Sequence, residues 1–433
     1  VLLACALSGC ASYRALPLPT APGLADSVAA LEGASPGLRE LTVSDVARLA
    51  VLNSPDLRAI RAQSGVSQAQ LLQAGLPPNP LVTGSILPLA AGYGVTNAWN
   101  AGLNYDFKSL ITLRARRRSA QETARQVDAQ IVWQEWQTAG QARLLAIDLI
   151  EGERSLALLG RTANLLSDRE RRSRAALAAG NATLATIAPD VAAVQSARSQ
   201  INDFQRQILV RRHQLNALLG LLPDVPLPLA RQPDLPPFDP ATILADLPTL
   251  PDRRPDLIAL QLGYRAEDAK VRAAILGQFP NLTFGITGGS DNSNVRNVGP
   301  QITLELPIFD RNQGNIAIER ATREQLHAEY AARLAAANGQ VRAALSEIAL
   351  LQRQLASVRA ELPALERAAA QAQSAFDTAA IDDRAYVDLV SARYAKEQEL
   401  VLLEQSLLDQ QVALATLTGA GLPQVALPPE TDR

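Results

Sequence analysis

The sequence predicts a mainly α-helical chain that also carries strands of a transmembrane β-barrel, and three observations predict it. One unit is written twice. Each copy contains a run of strong helix formers far too long for a compact fold. Between its helices each copy holds short segments in which apolar and polar residues alternate.

The repeat is direct. Ser54-Pro55-Asp56-Leu57 returns as Arg254-Pro255-Asp256-Leu257, 200 positions later, and Leu218-Leu219-Gly220 is answered by Leu417-Thr418-Gly419. The copies occupy residues 41–220 and 254–425 of the 433-residue chain. Ahead of them lie a leader, 1–10, and an extended segment, 11–40; a tail, 426–433, follows. The connector 221–253 holds Pro223, Pro226, Pro228, Pro233, Pro236 and Pro240, a density that opposes helix and predicts an extended linker.

Each copy reads as a helix, two strands, a very long helix, a turn and a return helix. In the first, a short helix stops at Pro77-Pro78, strands fall in about 81–107, and a helical hairpin fills about 113–219. In the second, strands fall in about 281–308 and the hairpin in about 315–418. A helix from Leu113 to Ala179 would be on the order of 100 Å long. These are rods, and they carry a coiled-coil seam. Val341, Ile348, Leu355 and Leu362 recur every seventh residue, with Ala344, Leu351, Val358 and Leu365 three positions after each. The return helix offers Leu400, Leu403, Leu407, Gln410, Leu414 and Leu417. Pro363 predicts a local bend.

The strands alternate with period two. Leu282, Phe284 and Ile286 alternate with Thr283 and Gly285; Ile302, Leu304 and Leu306 alternate with Thr303 and Glu305. In a membrane barrel the apolar set, Leu282, Phe284, Ile286, Ile302, Leu304 and Leu306, faces lipid, and Thr303 and Glu305 face the lumen. Four strands cannot close a barrel alone, because eight is the usual minimum. Several chains must contribute, and three would give twelve strands.

Both cysteines, Cys5 and Cys10, stand in the leader, so no disulfide framework exists beyond it. The leader is apolar and ends Leu7-Ser8-Gly9-Cys10, as the end of a secretory signal does. Those four residues resemble a bacterial lipobox, which makes Cys10 a lipidation site; a plain signal with an incidental cysteine is the alternative.

Longer stretches also resemble a known family. Leu41-Thr42-Val43-Ser44-Asp45-Val46-Ala47, Phe279-Pro280-Asn281-Leu282 and Leu306-Pro307-Ile308-Phe309-Asp310-Arg311-Asn312-Gln313-Gly314 are similar to segments of the TolC-like outer-membrane efflux proteins. The last resembles especially the CzcC-like branch that exports heavy-metal cations. The resemblance covers about residues 40–425. It implies a homotrimer whose twelve strands form one outer-membrane barrel above a long periplasmic α-helical barrel. Its implied partners are a periplasmic adaptor and an inner-membrane pump of the resistance-nodulation-division class. On that fold Pro307 and Gly314 flank the bend from strand to helix, and Asp310 to Gln313 form a polar turn able to cap helix amides.

The resemblance also implies a gate at the hairpin tips. Arg384 and Asp388 match the family's second-copy pattern, but Ser391 stands where a further carboxylate is expected. Thr186 stands where the first copy would offer an acid. Asp388 either lines the lumen or lies on a solvated face. Asp382 and Asp383 serve either the gate or the helix cap.

Other classes fit less well. Net charge is −2, which gives no basic field for nucleic acid. The two histidines, His213 and His327, stand apart, and there is no phosphate-binding glycine loop, so neither an enzyme nor a cofactor is expected. A periplasmic adaptor or a structural coiled-coil lipoprotein would not need two strand pairs beside tandem hairpins. Within the duct class, export of metal cations or drugs competes with the outer-membrane role in type I protein secretion.

Overall fold

The computed structural model describes residues 12–35, 40–236 and 239–427, so Cys10 and the leader lie outside the described residues. In the first copy α1 (Val43–Asn53), α2 (Pro55–Gly75), β1 (Leu81–Leu87) and β2 (Ala98–Asp106) precede two long helices, α3 (Phe107–Ala178) and α4 (Leu184–Leu218). The second copy holds α7 (Pro255–Leu276), β3 (Leu282–Ser290), β4 (Arg296–Leu304), α8 (Gln313–Asp377) and α9 (Asp383–Thr418). The 72 residues of α3 span ~108 Å at the helical rise. Among the described residues no helix is long and apolar enough to cross a membrane.

The connector departs from the extended linker its prolines predicted. It folds into α5 (Pro240–Asp246), a 3-10 turn (Leu247–Thr249) and α6 (Leu250–Arg253). Pro240, Pro248 and Pro251 each sit in the first turn of an element, where a missing N–H costs nothing, and Asp239 accepts from the amides of Ala241 and Thr242. Parallel bridges Ala25↔Leu221 and Leu41↔Leu229 tie the N-terminal segment to the connector.

Two cores hold the rods at mid-height. In one, Leu41, Leu49, Ile147, Leu215, Leu219 and Leu221 are fully buried, joining α1, the middle of α3, the end of α4 and the connector. In the other, Leu250 and Leu257 pack on Val341, Ile348 and Leu414. Each such side chain contributes roughly 1.5–3 kcal/mol. The Arg254-Pro255-Asp256 copy of the repeat motif is locked here: Arg254 Nε donates to Asp256 Oδ1 at 2.9 Å and NH2 to Oδ2 at 2.8 Å.

The seam of α8 buries Val341, Ala344, Ile348, Leu351, Leu355 and Val358, and nearer the tip it continues as Ala369 and Ala372. Helix α8 runs through Pro363 unbroken. On α9 the expected leucine series is only half-buried except Leu414; Val387, Val390, Val401 and Val412 are buried instead. The reason is that α9 packs against both α8 and α3, so its apolar residues serve two faces.

The strands form one antiparallel sheet in the order β1-β2-β3-β4. The central pairing joins the copies, from Trp99↔Ser290 to Asp106↔Thr283. Glu305 and Leu306, expected within a strand, lie beyond the end of β4. The Glu305 amide still donates to Asn281 O at 3.1 Å, after which Pro307 leaves no N–H to continue the ladder.

Candidate functional site

Two features of the chain stand out as candidate sites: the two-faced sheet and the charged hairpin tips. On the sheet, paired residues share a face, so register assigns every side chain. Leu282↔Leu304, Phe284↔Ile302 and Tyr105↔Phe284 put Leu282, Phe284, Ile286, Ile302 and Leu304 on one face, with Val82, Ile86, Trp99, Leu103 and Val298, and with Ser290 and Arg296 at its far end; Leu306 lies outside the register. The other face carries Thr83, Ser85, Asn100, Asn104, Thr287, Gln301 and Thr303. Asp106, at its lower end, is the one charged residue on that face among the described strands. Glycines let this polar face close up. A Cβ on Gly289 would lie 2.5 Å from Trp99 O, and one on Gly102 would lie 2.8 Å from Thr83 Oγ1. The apolar face is open: Ile286 is 60% and Ile302 65% exposed.

The junction below β4 differs from the expected cap. Asn312, not Gly314, turns the chain, at a left-handed φ of 62°, and its amide donates to Asp310 Oδ1 at 2.8 Å. Asn312 makes no side-chain cap; its Nδ2 reaches Ala274 O at 2.7 Å and ties the turn to α7.

At the tips the two hairpins turn in the same way. Gly180 N–H donates to Leu177 O, and Ala379 N–H donates to Phe376 O, both in left-handed conformation. Asp382 caps α9 by accepting from Ala385 N at 2.7 Å, which gives it the cap role. Asp383 instead accepts from Arg172 of α3 at 2.5 Å. Arg172 also stands 5.3 Å from the Phe376 ring centroid, and Phe376 stacks on Tyr386 at 4.7 Å. Burial raises the Tyr386 phenol above its ordinary pKa, and its hydroxyl donates to Gln373 at 2.5 Å.

Arg384 and Asp388 are brought together only loosely, at 4.0 Å and largely exposed. The tighter contact was not read from sequence. Arg169 NH2 meets Asp190 Oδ1 at 2.7 Å, Ser173 donates to Asp190 Oδ2 at 2.5 Å, and Arg169 NH1 lies 3.8 Å from Asp388. Asp190, one turn beyond Thr186, is thus the first-hairpin acid that Arg169 holds. A signal existed: Ile187, Asp190 and Val194 share one helix stripe, so this carboxylate falls on the buried face.

Higher up, a second charged layer joins α3, α4, α8 and α9. Arg211 pairs with Asp148 at 3.1 Å, Arg154 bridges Glu151 and Glu404, and Arg359 reaches Glu404 at 2.9 Å. Asp409 sits among these carboxylates with Oδ1 buried and without a hydrogen-bond partner. Burial, with Asp148 and Glu151 nearby, pushes its carboxyl up to about 7.

The Campylobacter jejuni CmeC outer membrane channel superposes with a TM-score of 0.71 at 18% identity, covering 96% of each chain. The two chains share one fold over almost their whole length. Residues 248–420 match the family model described as outer membrane efflux protein. Outer membrane protein OprJ of Pseudomonas aeruginosa is 27% identical over 254 residues, covering 55% of this chain and 52% of OprJ. Cation efflux system protein CusC of Escherichia coli K12 is 26% identical over 239 residues, covering 53% of this chain and 52% of CusC. The chain thus spans about half the length of the curated relatives it matches.

Proposed function

We propose that this chain is one subunit of a passive outer-membrane efflux duct, working as a homotrimer. The observation that carries the reading is the sheet. Its faces divide into apolar and polar along most of their length, with Ser290 and Arg296 at one end of the apolar face and Leu81 and Leu87 at the ends of the polar one, and its order leaves β1 and β4 each with an open edge. An open edge must be paired or covered. Pairing β4 of one copy with β1 of the next, three times, gives a twelve-stranded barrel with lipid outside and water inside. The rods then stand in the periplasm, and their tips form the constriction, with Arg384 and Asp388 at its mouth. Cys10 adds a lipid anchor. The partners are a periplasmic adaptor and an inner-membrane pump of the resistance-nodulation-division class.

Metal cations or drugs are the cargo, in line with the named relatives, one a cation efflux protein. The duct performs no chemistry on it. Selection is assigned to the pump, because the chain holds only two histidines and no cysteine beyond the leader with which to grip a soft metal.

Native mass spectrometry in mild detergent tests the assembly, with a trimer expected; a folded monomer with ion-conducting activity overturns it. Cysteines introduced at Thr303 and Ile302 test the faces in bilayers. A water-soluble thiol reagent entering the duct should modify position 303 and spare 302.

A further inference from the structure

A stripe on α3 runs down from the sheet and changes character within three turns. Phe107, Ile111, Arg114 and Arg118 follow at spacings of four, three and four, so they share one side of the helix. Phe107 packs edge-on against Tyr105 at 5.8 Å, and Tyr105 belongs to the apolar face of the sheet. The stripe therefore continues that face. Phe107 and Ile111 are 40% and 48% exposed, and Ile308 and Phe309 of the neighbouring junction are more so. One turn below Ile111 the stripe becomes cationic.

Like Arg161, Arg198, Arg320 and Arg353 elsewhere on the rods, these arginines meet no carboxylate among the described residues, but only here do they follow an exposed apolar stripe. Most arginines along the rods meet a carboxylate, as Arg154, Arg169, Arg172 and Arg211 do. Among the described residues no ion pair or hydrogen bond reaches Arg114, Arg118 or the flanking Arg117. Several acids near this depth are engaged otherwise: Asp106 caps α3, Asp310 accepts from Asn312, and Glu267 of α7 accepts from Lys270. Arg116 provides the contrast. It points to the opposite side of α3, lines a cavity with Lys270 and Glu319, and donates to Ser109 O at 2.8 Å.

Exposed aromatic and aliphatic side chains followed within one turn by unpaired arginines match the order of a bilayer boundary, acyl chains first and headgroups next. We propose that Arg114 and Arg118, flanked by Arg117, bind the phosphates of anionic phospholipid in the periplasmic leaflet. The long guanidinium stems reach up along the apolar stripe while the charge stays at the headgroup level. The inference rests on the barrel reading above, and its test separates the two.

The protein is reconstituted in phosphatidylcholine vesicles containing spin-labelled phosphatidylglycerol or spin-labelled phosphatidylcholine, and the motionally restricted fraction of each label is measured by electron paramagnetic resonance. The wild type should prefer the anionic label, less so at high salt. Arg114→Gln with Arg118→Gln should reduce that preference about fivefold or more, the effect of one cationic side chain at an anionic surface. Arg114→Lys with Arg118→Lys should retain it, and Arg116→Gln should leave it unchanged. An undiminished preference in the double glutamine variant overturns the proposal, as does an equal loss in Arg116→Gln. Absence of restricted lipid with either label would instead sink the barrel reading.

Discussion

Arg169 and Asp190 meet at 2.7 Å across the first hairpin, with side chains only 15% and 5% exposed, while the better-advertised Arg384 and Asp388 stand 4.0 Å apart in solvent. A buried pair broken on one side leaves a stranded charge and is strongly destabilising. The tip is therefore held by Arg169 and Asp190, and Arg384 and Asp388 add to it from outside.

Asp190→Ala should loosen the tip by ~3 kcal/mol. Hydrogen exchange should speed up in the last turns of α3 and the first turns of α4, with the mid-height core around Ile147 unchanged. Single-channel conductance in planar bilayers should rise above that of Arg384→Ala. Equal protection in wild type and variant would remove Asp190 from the lock.

Arg384→Ala should leave thermal stability within ~0.5 kcal/mol of wild type, since exposed pairs contribute little. Its effect should instead be a rise in single-channel conductance. Asp388→Asn should weaken block by multivalent cations added from the periplasmic side. No change in either electrical measurement would make both residues ordinary surface charges.

Asp409 supplies a pH dependence. Its folded-state pKa, about 7, lies above the ordinary carboxyl value of 3.8. The folded state thus binds the proton more tightly than the unfolded state, and stability falls as pH rises from about 4 through 7. Asp409→Asn should flatten that slope and raise the melting temperature at pH 8, with little change at pH 4. Thermal scans of both proteins across this range decide it.

Ala379 adopts φ 58°, where its first-copy counterpart is Gly180 at φ 75°. A left-handed alanine costs roughly 1–2 kcal/mol, partly offset because glycine gains more freedom on unfolding. Ala379→Gly should stabilise the second hairpin by up to ~1 kcal/mol, read as slower hydrogen exchange at the start of α9. Gly180→Ala should do the reverse.

Much of this was legible in the residues. Period-two alternation pointed to β3 and β4, the first copy's strands were placed only as a region of about 81–107, and helix propensity gave both rods to within a few residues at most ends. What escaped depended on contacts distant in sequence. Asp190 is an acid on an apolar stripe, and its partner lies on the other arm of the hairpin. The left-handed turn at Asn312 is fixed by Ala274 of α7, so Gly314 drew attention that belonged two residues earlier. The connector's prolines read as helix breakers, yet in first-turn positions they start helices.

The continuity of α3 has a mechanical consequence. Its buried middle, near Ile147, acts as a fulcrum, and the tip at Ala178 lies ~47 Å away along an unbroken rod. A tilt of ~5° about that point carries the tip ~4 Å sideways. At the fulcrum the same tilt moves packed side chains by a small fraction of an ångström. A swinging tip is then compatible with a core that never repacks, and the work of moving it falls on the few charged contacts at the free end of the lever.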